Sequence, residues 1–229
     1  YLYAEVFMNE KLKFIEFLIS VGALRFGDFT TKSGRQSPYF INTGEFRTGK
    51  AMLELARAYA QTFTQNFASQ ADNLYGPAYK GIPLCTATTM ILSGEHNLDV
   101  SFTYNRKERK DHGEGGLLVG DTYSETKKIV IIEDVVTAGT SVRETMNLLK
   151  DIPQAQVVGL IVAVDRKEKL ENGQSALAQI QEQWGIKTHS IIDIDDIIAY
   201  IENPENLRNL GQDDSLLQRI QAYRQKWGS

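Results

Sequence analysis

An alternation that begins near residue 73 constrains the fold more than any other feature. Short runs of strand-like composition, Asn73–Tyr75, Val100–Tyr104, Ile129–Ile132, Val157–Val164 and Thr188–Ile192, are separated by helix-like segments or loops, among them Ile82–Ser93, Ser141–Lys150 and Ala176–Trp184. Continuous apolar strands interleaved with helices predict an α/β fold, with a largely parallel central sheet flanked by helices. In such a sheet ligands bind beyond the carboxyl ends of the strands, so the chemistry is sought there. Two helices precede the alternation. Leu12, Ile15, Phe17, Leu18 and Ile19 have helical spacing and stop at Gly22, a C-terminal cap, and a second helix is predicted from about Thr48 to Phe67.

A chain of 229 residues has room for one large domain with a sizeable core. The segment YLYAEVF before Met8 reads as a leader or a cloning remnant, leaving residues 8–229 as a single domain. The content of 42% hydrophobic and 24% charged residues is that of a soluble globular protein. No apolar run approaches the roughly 20 residues that a membrane helix requires. Cys85 is the single cysteine, which excludes an internal disulfide and a cysteine zinc cluster; with no secretory pattern, this points to the cytoplasm. A net charge of -4 argues against a nucleic-acid footprint, so any anion specificity must be local.

The stretch IVIIEDVVTAGTS, residues 129–141, sits at one strand end. Thr140 or Ser141 is expected to cap the following helix, and the small residues around Gly139 let backbone N–H groups and hydroxyls converge on a phosphate at the positive end of that helix. Glu133 and Asp134 would repel that phosphate unless they face another part of the ligand, and vicinal sugar hydroxyls are the natural partner of a carboxylate. The combination suggests a ribose 5-phosphate. Taken as local structure only, the same stretch would be a capped strand-to-helix turn with solvated acids.

EDVVTAGTS resembles the phosphoribosyl pyrophosphate (PRPP) motif of type I phosphoribosyltransferases, and other segments resemble the orotate phosphoribosyltransferase family. TKSGRQSPYFINTG, residues 31–44, is similar to the segment that forms the family's hood over the base, here drawn mainly from residues 8–46. A flat anionic pyrimidine needs a cation, aromatic cover and backbone groups; Lys32, Tyr39 with Phe40, and the main chain near Phe40 and Ile41 can supply them. Many relatives carry a second aromatic where Ile41 stands. GPAYKGIPL, residues 76–84, resembles the pyrophosphate loop, with Tyr79 and Lys80 toward PRPP. RKERKDHGEGG, residues 106–116, resembles the family's flexible loop at Arg106, Lys107, Lys110, His112, Gly113 and Glu114. Read alone it would be a solvated charge run, but its glycines suit a mobile lid in an otherwise acidic chain. Arg166, in VAVDRKE, resembles the residue that hydrogen-bonds the base; without that likeness it would be a salt-bridge partner of Asp165 or Glu168. His96 and His189 match no motif, Trp184 and Trp227 read as packing residues, and the chain beyond about Asp193 reads as helical trim.

The resemblance implies transfer of the phosphoribosyl group from PRPP to orotate, giving orotidine 5'-monophosphate and pyrophosphate in pyrimidine synthesis. It assigns Lys107, Lys110, His112 and Asp134 to catalysis. PRPP falls to Lys32, Tyr79, Lys80, Arg106, Lys107, Lys110, His112 and the run Glu133, Asp134, Val135, Val136, Thr137, Ala138, Gly139, Thr140 and Ser141. Orotate falls to Phe40, Ile41, Thr137 and Arg166. Mg2+ is expected, held mainly through ligand oxygens and water. A homodimer is implied, in which Lys107, Lys110 and His112 reach the neighbouring active site. The alternatives are a purine phosphoribosyltransferase or a non-catalytic PRPP-sensing regulator.

Overall fold

Ile129, Val130, Ile131 and Ile132 are all fully buried, and a strand with four such residues in succession requires cover on both faces. The computed structural model describes residues 2–31, 34–108 and 116–229, with side chains from residue 9 onward. Its elements in order are α1 (Leu2–Ser20), β1 (Leu24–Thr30), β2 (Gln36–Ile41), α2 (Gly49–Phe67), β3 (Asn73–Gly76), α3 (Gly81–His96), β4 (Ser101–Asn105), β5 (Leu118–Gly120), β6 (Lys127–Glu133), α4 (Thr140–Leu149), β7 (Ala155–Asp165), α5 (Ala176–Trp184), β8 (Lys187–Asp193), α6 (Ile194–Ile201), α7 (Pro204–Asn209) and α8 (Asp214–Trp227). They group into two compact units.

One unit, Met52–Ala163 with Ala176–Ile191, holds the six-stranded sheet, ordered β5-β4-β3-β6-β7-β8. β3 runs parallel to β4 and β6, and β6 runs parallel to β7. On one face Ile129, Ile131, Leu160 and Val162 pack with Val142 and Leu149 of α4 and Leu177 and Ile180 of α5. Strand alternation turns Val130 and Ile132 to the other face. There α2 lies close: the Phe67 ring occupies the space a Cβ on Gly159 would need, 2.3 Å away. The predicted α/β architecture is therefore present, and α5 coincides with the predicted segment Ala176–Trp184.

The other unit comprises Tyr1–Ala51, Val164–Ser175 and Ile192–Ser229. Its β1 and β2 form an antiparallel hairpin, with α1 packed on β1 and α8 on β2. The C-terminal segment, read as trim, is thus the structural partner of the N-terminal hairpin.

Three features depart from the sequence reading. β1 and the three-residue β5 went unassigned; β5 pairs antiparallel to β4 at the sheet's edge, where long-range pairing rather than local pattern makes the strand. α1 begins at Leu2, upstream of Met8. The cap of α4 is neither Thr140 nor Ser141 but Gly139, with φ +70° and no side-chain cap hydrogen bond. The tight left-handed turn into the helix favours a residue without Cβ, and at Gly139 that Cβ would press on Ile180 at 3.3 Å.

Candidate active site

The tip of β6 presents its two acids unequally. Glu133 is buried, 7% exposed, and its backbone carbonyl accepts a 2.7 Å hydrogen bond from the Tyr59 hydroxyl on α2. Its carboxylate accepts from the Asp134 amide at 3.2 Å. Burial pushes Glu133 up to about 7; Ser141 opposes the shift and the charge on Asp134 adds to it. Asp134 is less enclosed. Its Oδ1 accepts from the Val135 amide at 2.8 Å, its Oδ2 accepts from Lys80 Nζ at 3.1 Å, and its backbone carbonyl accepts from the Ala163 amide at 2.9 Å. The strand therefore turns one carboxyl inward as a hydrogen-bonded support and leaves Asp134 as the acid better placed to meet a ligand.

After the acids the chain turns through the small residues. Val136 packs against the core beneath, whereas Thr137, Ala138 and Thr140 are exposed where α4 begins. The Arg143 guanidinium holds the Ala138 carbonyl, which fixes the turn from the helix side. Backbone N–H groups at the start of α4 have no intrahelical acceptor, so this end suits an anion.

The second loop, residues 76–81, is held by close backbone packing. A Cβ on Gly76 would fall 2.2 Å from the Gly81 carbonyl oxygen and 2.6 Å from the Cys85 Cβ, so no larger residue fits. The Ala78–Tyr79 peptide is cis, and the Ala78 amide donates to Asn105 Oδ1 at 3.0 Å. Tyr79 is exposed, and Lys80 reaches back to Asp134. Cys85 is buried, its thiol donating to the Leu74 carbonyl.

The described residues on either side of 109–115 are joined by hydrogen bonds. The Arg106 amide donates to the Leu117 carbonyl at 2.7 Å and its guanidinium to the Gly116 carbonyl at 3.2 Å, while Lys107 lies 3.8 Å from Glu144. Lys110, His112, Gly113 and Glu114 lie outside the described residues, as does Lys32.

Of the residues expected to read the base, Thr137 lies in the turn before α4, whereas Phe40, Ile41 and Arg166 stand in the other unit. Phe40 is half-buried and stacks on Phe29, with centroids 5.3 Å apart; Ile41 follows it at the end of β2. Tyr39, expected as aromatic cover, is fully buried and serves as a floor: the Arg166 guanidinium lies 4.4 Å above its ring. Arg166 also donates from Nε to Glu168 Oε1 at 2.7 Å and from Nη2 to Ser37 Oγ at 3.3 Å. The salt bridge foreseen with Glu168 is present, and it forms part of a larger cluster that sequence reasoning missed. Tyr223 and Trp227 join it from α8; with Leu216 and Ile220 they recur at helical spacing, which is the signal that α8 buries one face.

Residues 42–198 match the phosphoribosyl transferase domain family. Two curated relatives named orotate phosphoribosyltransferase, from Clostridium beijerinckii and Chromohalobacter salexigens, are each 45% identical to the chain. The first alignment covers 96% of this chain and 98% of the relative; the second covers 94% of each. The chain belongs to the orotate phosphoribosyltransferases. A crystal structure of an orotate phosphoribosyltransferase from Francisella tularensis has 38% sequence identity and a TM-score of 0.83, over 95% of this chain and all of that one. The likeness to orotate phosphoribosyltransferases thus extends beyond the common phosphoribosyl transferase segment to the first hairpin and to the helices after residue 198.

Among the described residues no group of three or more His, Cys, Asp or Glu side chains could hold a metal ion, and no helix is long and apolar enough to cross a membrane. At the β6 tip, Asp134 already bonds Lys80 and the Val135 amide, and Glu133 is enclosed. That donor set fits a hydrated Mg2+ that takes most of its oxygens from a bound ligand rather than from a protein cage.

Proposed function

We propose that this orotate phosphoribosyltransferase catalyses transfer of the 5-phosphoribosyl group from PRPP to orotate, yielding orotidine 5'-monophosphate and pyrophosphate for pyrimidine nucleotide synthesis. The observation that carries the reading is the junction at the β6 tip, where Asp134, Lys80 and the open turn before α4 meet. These are three chemically distinct groups for one sugar phosphate. Backbone groups of Thr137 to Ser141 anchor the 5-phosphate at the positive end of α4. Asp134 accepts hydrogen bonds from the ribose hydroxyls, and Glu133 supports it from beneath.

Bond breaking at the anomeric carbon passes through a loose, oxocarbenium-like state in which positive charge grows on the sugar and negative charge on the departing pyrophosphate. Asp134 stabilises the first; Lys80, Arg106, Lys107, Lys110 and His112 stabilise the second, the lid contributing most where charge has developed. Asp134 at the β6 tip would stand beside a bound Mg2+ held mainly by ligand and water oxygens, which would supply further charge neutralisation. Phe40, Ile41, Thr137 and Arg166 orient orotate, with Lys32 as the cation near its carboxylate. The enzyme acts in the cytoplasm as a homodimer in which Lys107, Lys110 and His112 serve the partner's site.

The test is loss of orotate absorbance on addition of PRPP and Mg2+, run beside hypoxanthine, adenine and uracil. Consumption of orotate alone is expected. Consumption of a purine in its place, or PRPP binding with no base consumed, would reject the reading.

A further inference from the structure

We propose that Tyr223 and Glu168 are positioning residues for Arg166, so that α8 sets the guanidinium that meets the base; the inference rests on the orotate-binding role given to Arg166 above. Glu168 is the hub. Its Oε1 accepts from Arg166 Nε at 2.7 Å and from the Tyr223 hydroxyl at 2.9 Å, and its Oε2 accepts from Arg35 Nη1 at 3.3 Å. Glu168 sits two residues after Arg166 in a connecting segment, so the pair alone would leave both side chains free to turn together. Tyr223 removes that freedom by tying the carboxylate to a helix.

The Arg166 guanidinium is then held on three sides. Glu168 takes the Nε edge, Ser37 Oγ receives Nη2, and the buried Tyr39 ring lies beneath its plane. Tyr39 is in turn set edge-on to the Tyr223 ring, with centroids 6.0 Å apart at 85°. No hydrogen bond among the described residues falls on Nη1, which leaves one face of a fixed fork for an acceptor on the ligand. The arrangement has the form of a binding cation prepared by its supports rather than a salt bridge made for stability.

The end of α8 is fastened to the same segment. The Lys169 amide donates to the Trp227 carbonyl at 2.8 Å, the Ser229 amide donates to the Lys167 carbonyl at 2.8 Å, and Arg35 lies 4.5 Å over the Trp227 ring. These bonds place Tyr223 at a fixed height beside Glu168. α8 is therefore part of the base-recognition apparatus.

The experiment is a double-mutant cycle on the full-length protein, with steady-state KM for orotate and for PRPP measured in wild type, Tyr223→Phe, Arg166→Lys and the double variant. Tyr223→Phe is expected to raise the orotate KM about tenfold, as loss of a hydrogen bond to a charged group does, with PRPP KM and Tm nearly unchanged. In the Arg166→Lys background the same substitution should change orotate KM less than about twofold. Glu168→Gln, which keeps the side chain's shape, should reproduce the pattern if Tyr223→Phe folds poorly. An equal effect of Tyr223→Phe in both backgrounds, or parallel rises in both KM values, would mean a merely structural role and overturn the proposal. Wild-type turnover of orotate separates the two levels: without it the functional reading fails and this inference with it, whereas with it only the positioning role is at stake.

Discussion

Lys80 Nζ lies 3.1 Å from Asp134 Oδ2, joining the loop before α3 to the tip of β6. The lysine side chain is 63% exposed, so solvent screens the pair and limits its contribution to stability to about 1 kcal/mol or less. Its value is positional. It holds a cation and a carboxylate side by side at the tip of β6, the two groups that the proposed mechanism assigns to the leaving group and to the sugar.

Asp134→Asn should therefore leave Tm within a few degrees of wild type and lower kcat about 100-fold or more, because the neutral amide cannot offset growing positive charge on the ribose. Steady-state kinetics beside thermal unfolding checks both halves. Retention of full kcat would remove Asp134 from the mechanism.

Glu133 gives a dependence on pH whose sign can be worked out. Its carboxyl is raised from an ordinary 4.5 to about 7 in the folded chain by burial, with Ser141 opposing and Asp134 adding to the shift. Between those values the folded state keeps a proton that the unfolded state has released, so this group's stabilising contribution is full below about pH 4.5 and is lost as pH rises to about 7. The loss is on the order of 3 kcal/mol at most. Glu133→Gln lacks the titration. Across this window the stability of wild type relative to Glu133→Gln should fall with rising pH in urea titrations, and a constant difference would contradict the assignment.

Gly76→Ala tests the packing of the second loop. The new Cβ would meet the Gly81 carbonyl at 2.2 Å, so backbone must move, at a cost of about 2 kcal/mol or more. A clear drop in the denaturant midpoint is expected, and an unchanged midpoint would show that the two glycines do not need their close approach.

Lys110→Ala addresses the lid. Because the lysine is proposed to act on the departing pyrophosphate, kcat should fall about 100-fold while the affinity for PRPP, measured by equilibrium binding, changes far less. If the lid serves the neighbouring subunit, mixing inactive Lys110→Ala and Asp134→Asn chains should recover part of the activity, since one of the two sites in a heterodimer is then intact. Absence of recovery after demonstrated subunit exchange would count against sharing.

The sequence made the parallel core legible because its signals are local. The buried run of β6, the α5 boundaries and the acid pair followed by small residues are all properties of contiguous stretches. What escaped depends on partners far along the chain. β5 exists because Leu118–Gly120 reaches β4, and the inward turn of Glu133 goes with Tyr59, 74 residues earlier. The support of Arg166 by Tyr223 spans Glu168 and a helix that had no motif of its own. The α4 cap failed for a different reason: the chain enters the helix through a left-handed Gly139 that makes no side-chain cap bond, which spacing alone does not announce.

The central claim is a single group transfer between two substrates, and product analysis tests it most directly. Incubation with PRPP, Mg2+ and orotate should yield orotidine 5'-monophosphate and pyrophosphate in equal amounts, each dependent on orotate and both abolished by Asp134→Asn. Pyrophosphate released without orotate, or a nucleotide formed on a base other than orotate, would contradict the account.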